Sequence, residues 1–301
     1  MDWTWIALLS AAAAGLVGIL DKTLVHHFAT SRLTLPLLIG LGQSVVAAAL
    51  IAVVPWGSPG LDAIGWALVS GVLWGGGGLM MLYVLFDREV SRTMPVFQTF
   101  PVFVAPMAVV FLDERLASQH WVAILAAVAG AVMISLRRSE RNGGMAVDKG
   151  LYVLIVASFL AAVAAITSKL AVDNLPVLQA HGFRMLGLSG VFLLAALRPA
   201  PMRDVIGFFR HRSPALALFG FNEFVVANCA MLLMLWAISL GPVSLVTAIN
   251  ATSSLFLVIY GVLLALRFPG ALGEQVSPGA VAIKVLSTAL IVTAVATIAW
   301  T

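Results

Sequence analysis

Ten apolar runs follow one another along this chain, separated only by short polar gaps. They are Trp3–Lys22, Leu33–Val54, Ala63–Leu85, Thr93–Leu112, Trp121–Leu136, Gly150–Leu170, Leu178–Leu197, Pro214–Leu235, Val243–Leu266 and Val276–Trp300. A bilayer-crossing helix needs about 20 mainly apolar residues, and most of these runs meet that length. In hydrocarbon each segment must satisfy its own backbone N–H and C=O groups, which favours helices. The expectation is an all-α integral membrane protein with ten transmembrane helices.

Composition supports this solvent. Hydrophobic residues make up 61% of the chain and charged residues 10%, whereas soluble domains carry about 25% charged residues. No gap is long enough for a separate soluble domain. The first run has an alanine-rich middle like that of a signal peptide, but it lacks a basic leader and runs directly into Asp21–Lys22. It is therefore read as a mature helix. The formal charge of +4 comes from residues in short loops, so it indicates topology rather than nucleic-acid binding. Cys229 is the single cysteine, which excludes an internal disulfide and a cysteine metal cluster.

Breakers fall in the gaps. Pro55–Trp56–Gly57–Ser58–Pro59–Gly60 separates the second and third runs, and Pro199–Ala200–Pro201 and Phe268–Pro269–Gly270 divide later ones. Residues 137–149 form a hydrophilic linker. One alternating set of loops carries Arg32, Arg88, Arg92, Arg137, Arg138, Arg141, Lys149, Arg198, Arg203, Arg210, Arg212 and Arg267, while the other has Arg115 and, at a helix end, Lys169. The positive-inside rule puts the first set in the cytoplasm and both termini outside, in a membrane of the bacterial inner type.

The two halves repeat. Met81–Leu82–Tyr83 aligns with Met234–Leu235–Trp236, Val90–Ser91 with Val243–Ser244, Thr99 with Thr252, and Phe103 with Phe256. At another offset Lys22 matches Lys169. The expected organisation is one five-helix repeat over 1–136, the linker, and a second five-helix repeat over 150–301. Five is odd, so the halves would enter the membrane from opposite sides, an inverted repeat suited to alternating access around a midplane site.

These stretches bear a family resemblance. Phe97-Gln-Thr-Phe-Pro-Val-Phe-Val-Ala-Pro106, then Phe111-Leu-Asp-Glu-Arg-Leu116 and Ala126–Gly130, resemble the drug/metabolite transporter superfamily, in particular its EamA-like ten-helix members. Gly241-Pro-Val-Ser-Leu-Val-Thr247 is similar in the second half. The second half departs from the first in having Ser254 opposite Pro101 and a longer loop through Gly273–Glu274. The resemblance implies export of small metabolites.

Candidate site residues follow from interruptions and intramembrane polarity. Pro95, Pro101 and Pro106 break the fourth run, and its partner, the ninth, begins at Pro242 and carries Asn250, Thr252, Ser253 and Ser254. Such paired breaks point to a central site, with helix packing as the competing account. Arg184, Glu223 and Lys284 lie inside runs and must face protein or water, as a structural pair or as a ligand or proton site. Glu223 is the better proton-coupling candidate, since a carboxyl in lipid becomes neutral by taking up a proton. Lys22 and Lys169 either snorkel from helix ends or contact substrate. Gln43, Gln98, Asn222 and Asn228 can bind solute or join helices. Trp74, Tyr83 and Trp236 either wall a cavity or anchor the perimeter. The cations Lys22, Lys169, Arg184 and Lys284 outnumber Glu223, which turns the cargo towards an organic anion or zwitterion if they share a cavity.

The sequence holds no HExxH, no GxSxG and no phosphate loop, so an intramembrane enzyme ranks below a transporter. No cofactor and no metal are expected. The expected partners are a small-molecule solute, the lipid bilayer, and protons or a counter-transported solute, with no nucleic acid. The reading is alternating-access export of a small polar or amphipathic metabolite. Its alternatives are organic-anion exchange and movement of a lipid-linked headgroup.

Overall fold

The computed structural model describes residues 2–55, 60–88, 90–135 and 149–267, with isolated positions at 290, 293 and 297. Within them the chain is a succession of helices with no strand. These are α1 (Trp3–His27), α2 (Thr34–Val53), α3 (Leu61–Leu85), α4 (Val90–Phe97), α5 (Pro101–Phe111), α6 (Ser118–Ser135), α7 (Lys149–Val172) and α8 (Val177–Ala196). Then follow α9 (Pro199–Arg210), α10 (Pro214–Gly220), a π-helical stretch (Phe221–Ala227), α11 (Asn228–Leu240), α12 (Val243–Asn250) and α13 (Ser253–Arg267). Among the described residues seven helical spans are long and apolar enough to cross a membrane, counting Pro214–Leu240 and Val243–Leu264 as one each. Most of the expected tenth run, Lys284 within it, most of the 137–149 linker and the Phe268–Pro269–Gly270 gap lie outside the described residues.

Apolar side chains cover the outside as well as the core. Val110, Phe111 and Leu194 are exposed, whereas Ile6, Leu37, Phe100 and Leu235 are fully buried. A helix that is apolar all round belongs in a bilayer. Its polar groups turn inward instead: Ser10 Oγ donates to Ala230 O at 2.9 Å, and Ser70 Oγ lies 2.6 Å from Ser168 Oγ. Such bonds join helices where lipid offers no partner.

Helix contacts follow a reciprocal pattern. α1 packs on α11, α12 and α13, α7 packs on α3, α4 and α5, and α2 packs on α8. At the α3–α8 crossing the backbones meet through glycine. A Cβ on Gly71 would stand 2.0 Å from Arg184 O, and one on Gly187 would stand 2.3 Å from Leu68 O. Gly71 and Gly75, four residues apart, together let α3 and α8 approach closely.

Several boundaries differ from the sequence reading. α1 does not stop near Lys22 but runs on to His27, which puts Asp21 inside the helix. The fourth run is two helices parted at Gln98–Phe100, where Pro101 opens α5 at a position that needs no backbone donor. The ninth is parted at Ala251–Thr252. The aligned threonines Thr99 and Thr252 thus both fall at breaks. Pro199–Ala200–Pro201, read as a gap, begins the short helix α9, which buries Val205 and exposes Ile206 and Phe209.

Two acidic caps tie distant segments together. Glu114 accepts from Val243 N at 2.5 Å, from Ser244 N at 3.3 Å and from the Ser244 hydroxyl, so the acidic turn after α5 caps the N-terminus of α12. Asp113 turns the chain there with φ of 53°. Asp204 on α9 accepts from Thr30 Oγ1 at 2.6 Å, Thr30 N at 3.2 Å and Thr34 Oγ1 at 2.5 Å, holding α9 against the entry to α2. Partial burial pushes the Asp204 carboxyl up, but these hydrogen bonds outweigh it and hold the group below the ordinary aspartate value.

Candidate substrate cavity

Between the two halves lies a cavity of about 140 Å³, walled by α1, α3, α4, α8, the π-helical stretch and neighbouring residues of α2, α11 and α12. Most of its wall is apolar: Val17, Met81, Met94, Phe97, Phe192 and Met231. Trp74 stands against Phe97 with ring centroids 6.0 Å apart and against Phe100 at 6.2 Å, both edge-to-face. Into this setting project two carboxylates, Asp21 from α1 and Glu223 from the π-helical stretch. Both are buried, at 5% and 2% exposure.

Amides hold both acids. Asn222 Nδ2 donates to Asp21 Oδ1 at 2.7 Å, and Gln43 Nε2 donates to Glu223 Oε1 at 2.5 Å. The neighbours Asn222 and Glu223 thereby stitch their stretch to α1 and α2 respectively. Asn228 Nδ2 donates to the Glu223 carbonyl at 2.6 Å, leaving its Oδ1 to face His181 Nε2 at 2.9 Å. That orientation makes His181 Nε2 the donor. A π-helical turn inside an α-helix costs hydrogen-bond geometry and recurs at functional sites. Here it carries Asn222 and Glu223 into the interior while Phe221 and Phe224 face outward.

The interrupted segments meet beside the cavity. Gln98 Nε2 donates to Ser253 Oγ at 2.6 Å, and Asn250 Nδ2 donates to Ser10 Oγ at 3.0 Å. Along α1 the cavity touches Ala14, Val17 and Asp21, whereas a wider vestibule of about 660 Å³ touches Asp2, Trp3 and Thr4. Ile6, Ala7, Ser10 and Ala11 lie buried between the two spaces. The vestibule also meets Glu114, Arg115, Lys169 and Pro242.

The EamA-like transporter family model matches residues 2–136 and again residues 148–300. The chain belongs to the EamA-like transporter family. One similar crystal structure is 19% identical over 96% of this chain and 96% of its own, with a TM-score of 0.61, a likeness of fold. A search of curated proteins finds no match. As an EamA-family membrane transporter, the chain takes a small-molecule substrate and sits in a lipid bilayer.

Of the residues singled out in the sequence, Trp74, Gln98, Glu223 and Asn250 line the cavity. Gln43, Asn222 and Asn228 stand one step behind it, holding Glu223 and Asp21 as described. Thr252 is buried at the break without lining the cavity, its Oγ1 unpartnered.

The cation-rich pathway expected from the sequence does not extend to Lys22, Lys169 and Arg184, none of which lines the cavity; Lys284 lies outside the described residues. Lys22 donates to Leu85 O at 3.1 Å and Arg88 O at 2.8 Å, closing the end of α3. It follows Asp21 by one residue, so the helix turns it to a different face. Lys169 pairs with Asp173 at 2.7 Å and borders the vestibule. Arg184 is buried behind the wall, its guanidinium carbon 4.9 Å from the Trp74 centroid in a cation–π contact. Among the described residues Glu223 forms no ion pair.

Tyr83 and Trp236 also leave the site, each 46% exposed. Arg32 lies 4.7 Å over the Tyr83 ring. Their aligned positions put both on outward faces.

Asp21 is a polar residue of the cavity wall that the sequence reading did not single out. In the sequence it stands beside Lys22 at the end of the first apolar run. The usable signal was the absence of any turn residue between Asp21 and His27, which lets the helix continue and brings Asp21 under the same desolvation constraint as Glu223.

Proposed function

We propose that this EamA-family protein is a secondary transporter that exports a small amphipathic metabolite by alternating access, with protons exchanging on Asp21 and Glu223. The observation that carries this reading is the pair of buried carboxylates in one cavity between the halves. Two negative charges in a low-dielectric space are costly, and among the described residues no cation lines the cavity beside them. Protons taken up from water neutralise them, and so does a solute that brings its own positive charge. Competition between those two is the basis of coupled exchange.

Alternation is supported by the reciprocal packing of α1 and α7, the arrangement expected of an inverted repeat comprising residues 1–136 and 150–301 around the linker. The interruptions at Gln98–Phe100 and Ala251–Thr252 give each half a hinge beside the cavity. The cavity lies towards the ends of α1 and α3 that adjoin Arg32 and Arg88, the cytoplasmic side by the distribution of positive charge. Access from that side would suit the loading state of an exporter. The acidic wall speaks against the organic-anion reading.

Cysteine accessibility tests the reading without knowledge of the cargo. In a Cys229→Ser background, Val17→Cys in oriented proteoliposomes should react with a membrane-impermeant maleimide from either face. Reaction from one face only, under every condition of pH and gradient, contradicts alternating access.

A further inference from the structure

Hydrogen-bond acceptors outnumber donors around the cavity, and the imbalance has a direction. Asn222, Gln43 and Gln98 each turn an NH₂ group to a neighbour: Asp21, Glu223 and Ser253 respectively. Their carbonyl oxygens, Asn222 Oδ1, Gln43 Oε1 and Gln98 Oε1, are buried without a hydrogen-bond partner. Gln98 is 4% exposed and lines the cavity beside the two carboxylates, so one of these acceptors belongs to a residue of its wall. Asn250, on the same wall, directs its Nδ2 to Ser10. A buried acceptor left unmade costs about 1–3 kcal/mol, more for a charged group. A ligand with several N–H donors and a positive charge complements this wall.

The rest of the wall defines the ligand's other end. Trp74, Phe97, Met81 and Met94 present aromatic and thioether surface with no hydrogen-bonding demand of comparable strength. An anion would face two carboxylates with no cation in the described wall. A quaternary ammonium would bring the charge but no N–H donor, leaving the Gln98 oxygen unpartnered.

We propose that the solute is a primary amine in its ammonium form with a small apolar or aryl body, its N–H groups directed to Asp21, Glu223 and Gln98. This rests on the transport reading above and narrows it to a substrate class. The ammonium ion and protons compete for the same carboxylates, so amine loading on one side releases protons there, and reprotonation on the other side expels the amine.

The test is equilibrium binding to the purified full chain in detergent, followed by ligand-dependent thermal stabilisation. The probes are 2-phenylethylamine, its N,N,N-trimethyl derivative, 2-phenylethanol and 3-phenylpropanoate, which share an aryl body and differ in head group. The primary amine should bind about tenfold or more tightly than the other three, the scale of one hydrogen bond to a charged group. Asp21→Asn and Glu223→Gln should each weaken it by a similar factor. The ranking within the wild-type protein stands even if a variant fails to fold. Equal or tighter binding of the carboxylate, the alcohol or the quaternary ion overturns the proposal, as does an absence of saturable amine binding. If two-sided labelling of Val17→Cys persists alongside such a result, the substrate class falls and the transport reading stands. If that labelling is lost, both fall.

Discussion

Gln98 Nε2 donates a 2.6 Å hydrogen bond to Ser253 Oγ, so that the breaks of the two interrupted segments hold one another. Gln98 ends the α4 stretch and Ser253 begins α13, which joins the two halves of the chain at their weakest backbone points. Ser253→Ala should leave the Gln98 amide buried without that partner and cost about 1–3 kcal/mol. A lower midpoint in a thermal unfolding assay in detergent checks this. An unchanged midpoint would mean that the bond is not held in the membrane protein.

Glycine substitutions should separate sharply by position. Gly71→Ala places a methyl 2.0 Å from Arg184 O, so α3 and α8 must move apart and the protein should lose most of its thermal resistance. Gly190→Ala and Gly65→Ala meet nothing within 4 Å. Those two should be neutral, or stabilising by about 0.5–1 kcal/mol through helix propensity. Midpoints for the three variants in one detergent decide the matter.

Removing the Glu114 carboxylate should loosen the start of α12. Glu114→Ala removes the acceptor of two backbone N–H groups and a hydroxyl at a helix N-terminus, an effect of about 0.5–2 kcal/mol. Hydrogen exchange should rise at Val243 and Ser244 before it rises elsewhere. Uniform exchange across the chain would contradict a local cap.

Asp204 gives a pH dependence with a definite sign. Its carboxyl is held below the ordinary aspartate value in the fold, so its hydrogen bonds stabilise the protein above the unfolded value. That contribution is lost as pH falls through the folded value. The stability difference between wild type and Asp204→Asn should therefore be full at neutral pH and shrink in acid below about pH 4. A difference that grows on acidification would refute the assignment.

How far could the sequence alone reach? The bilayer lengths of Leu33–Val54, Ala63–Leu85 and Leu178–Leu197 made α2, α3 and α8 plain, because each is mainly apolar and bounded by polar gaps. The prolines and hydroxyls of the fourth and ninth runs marked the breaks at Gln98–Phe100 and Ala251–Thr252. Glu223 stood out because a charge in lipid needs a reason. Asp21 did not, since a charge beside Lys22 reads as a helix end until the helix is seen to continue to His27. Facing was equally hidden: Tyr83 and Trp236 share an aligned position but turn outward, and Arg184 turns from the cavity to the Trp74 ring. Such directions depend on helix rotation, which a uniformly apolar sequence with little amphipathic bias does not specify.

Coupling of amine movement to protons is assigned to Asp21 and Glu223. It is tested most directly by proton flux in proteoliposomes loaded with a pH-sensitive dye, with 2-phenylethylamine added on one side. The wild type should show saturable, amine-driven proton movement in the opposite direction, above passive leak. Asp21→Asn and Glu223→Gln should each abolish it while still reconstituting. Undiminished proton flux in both variants would contradict the account.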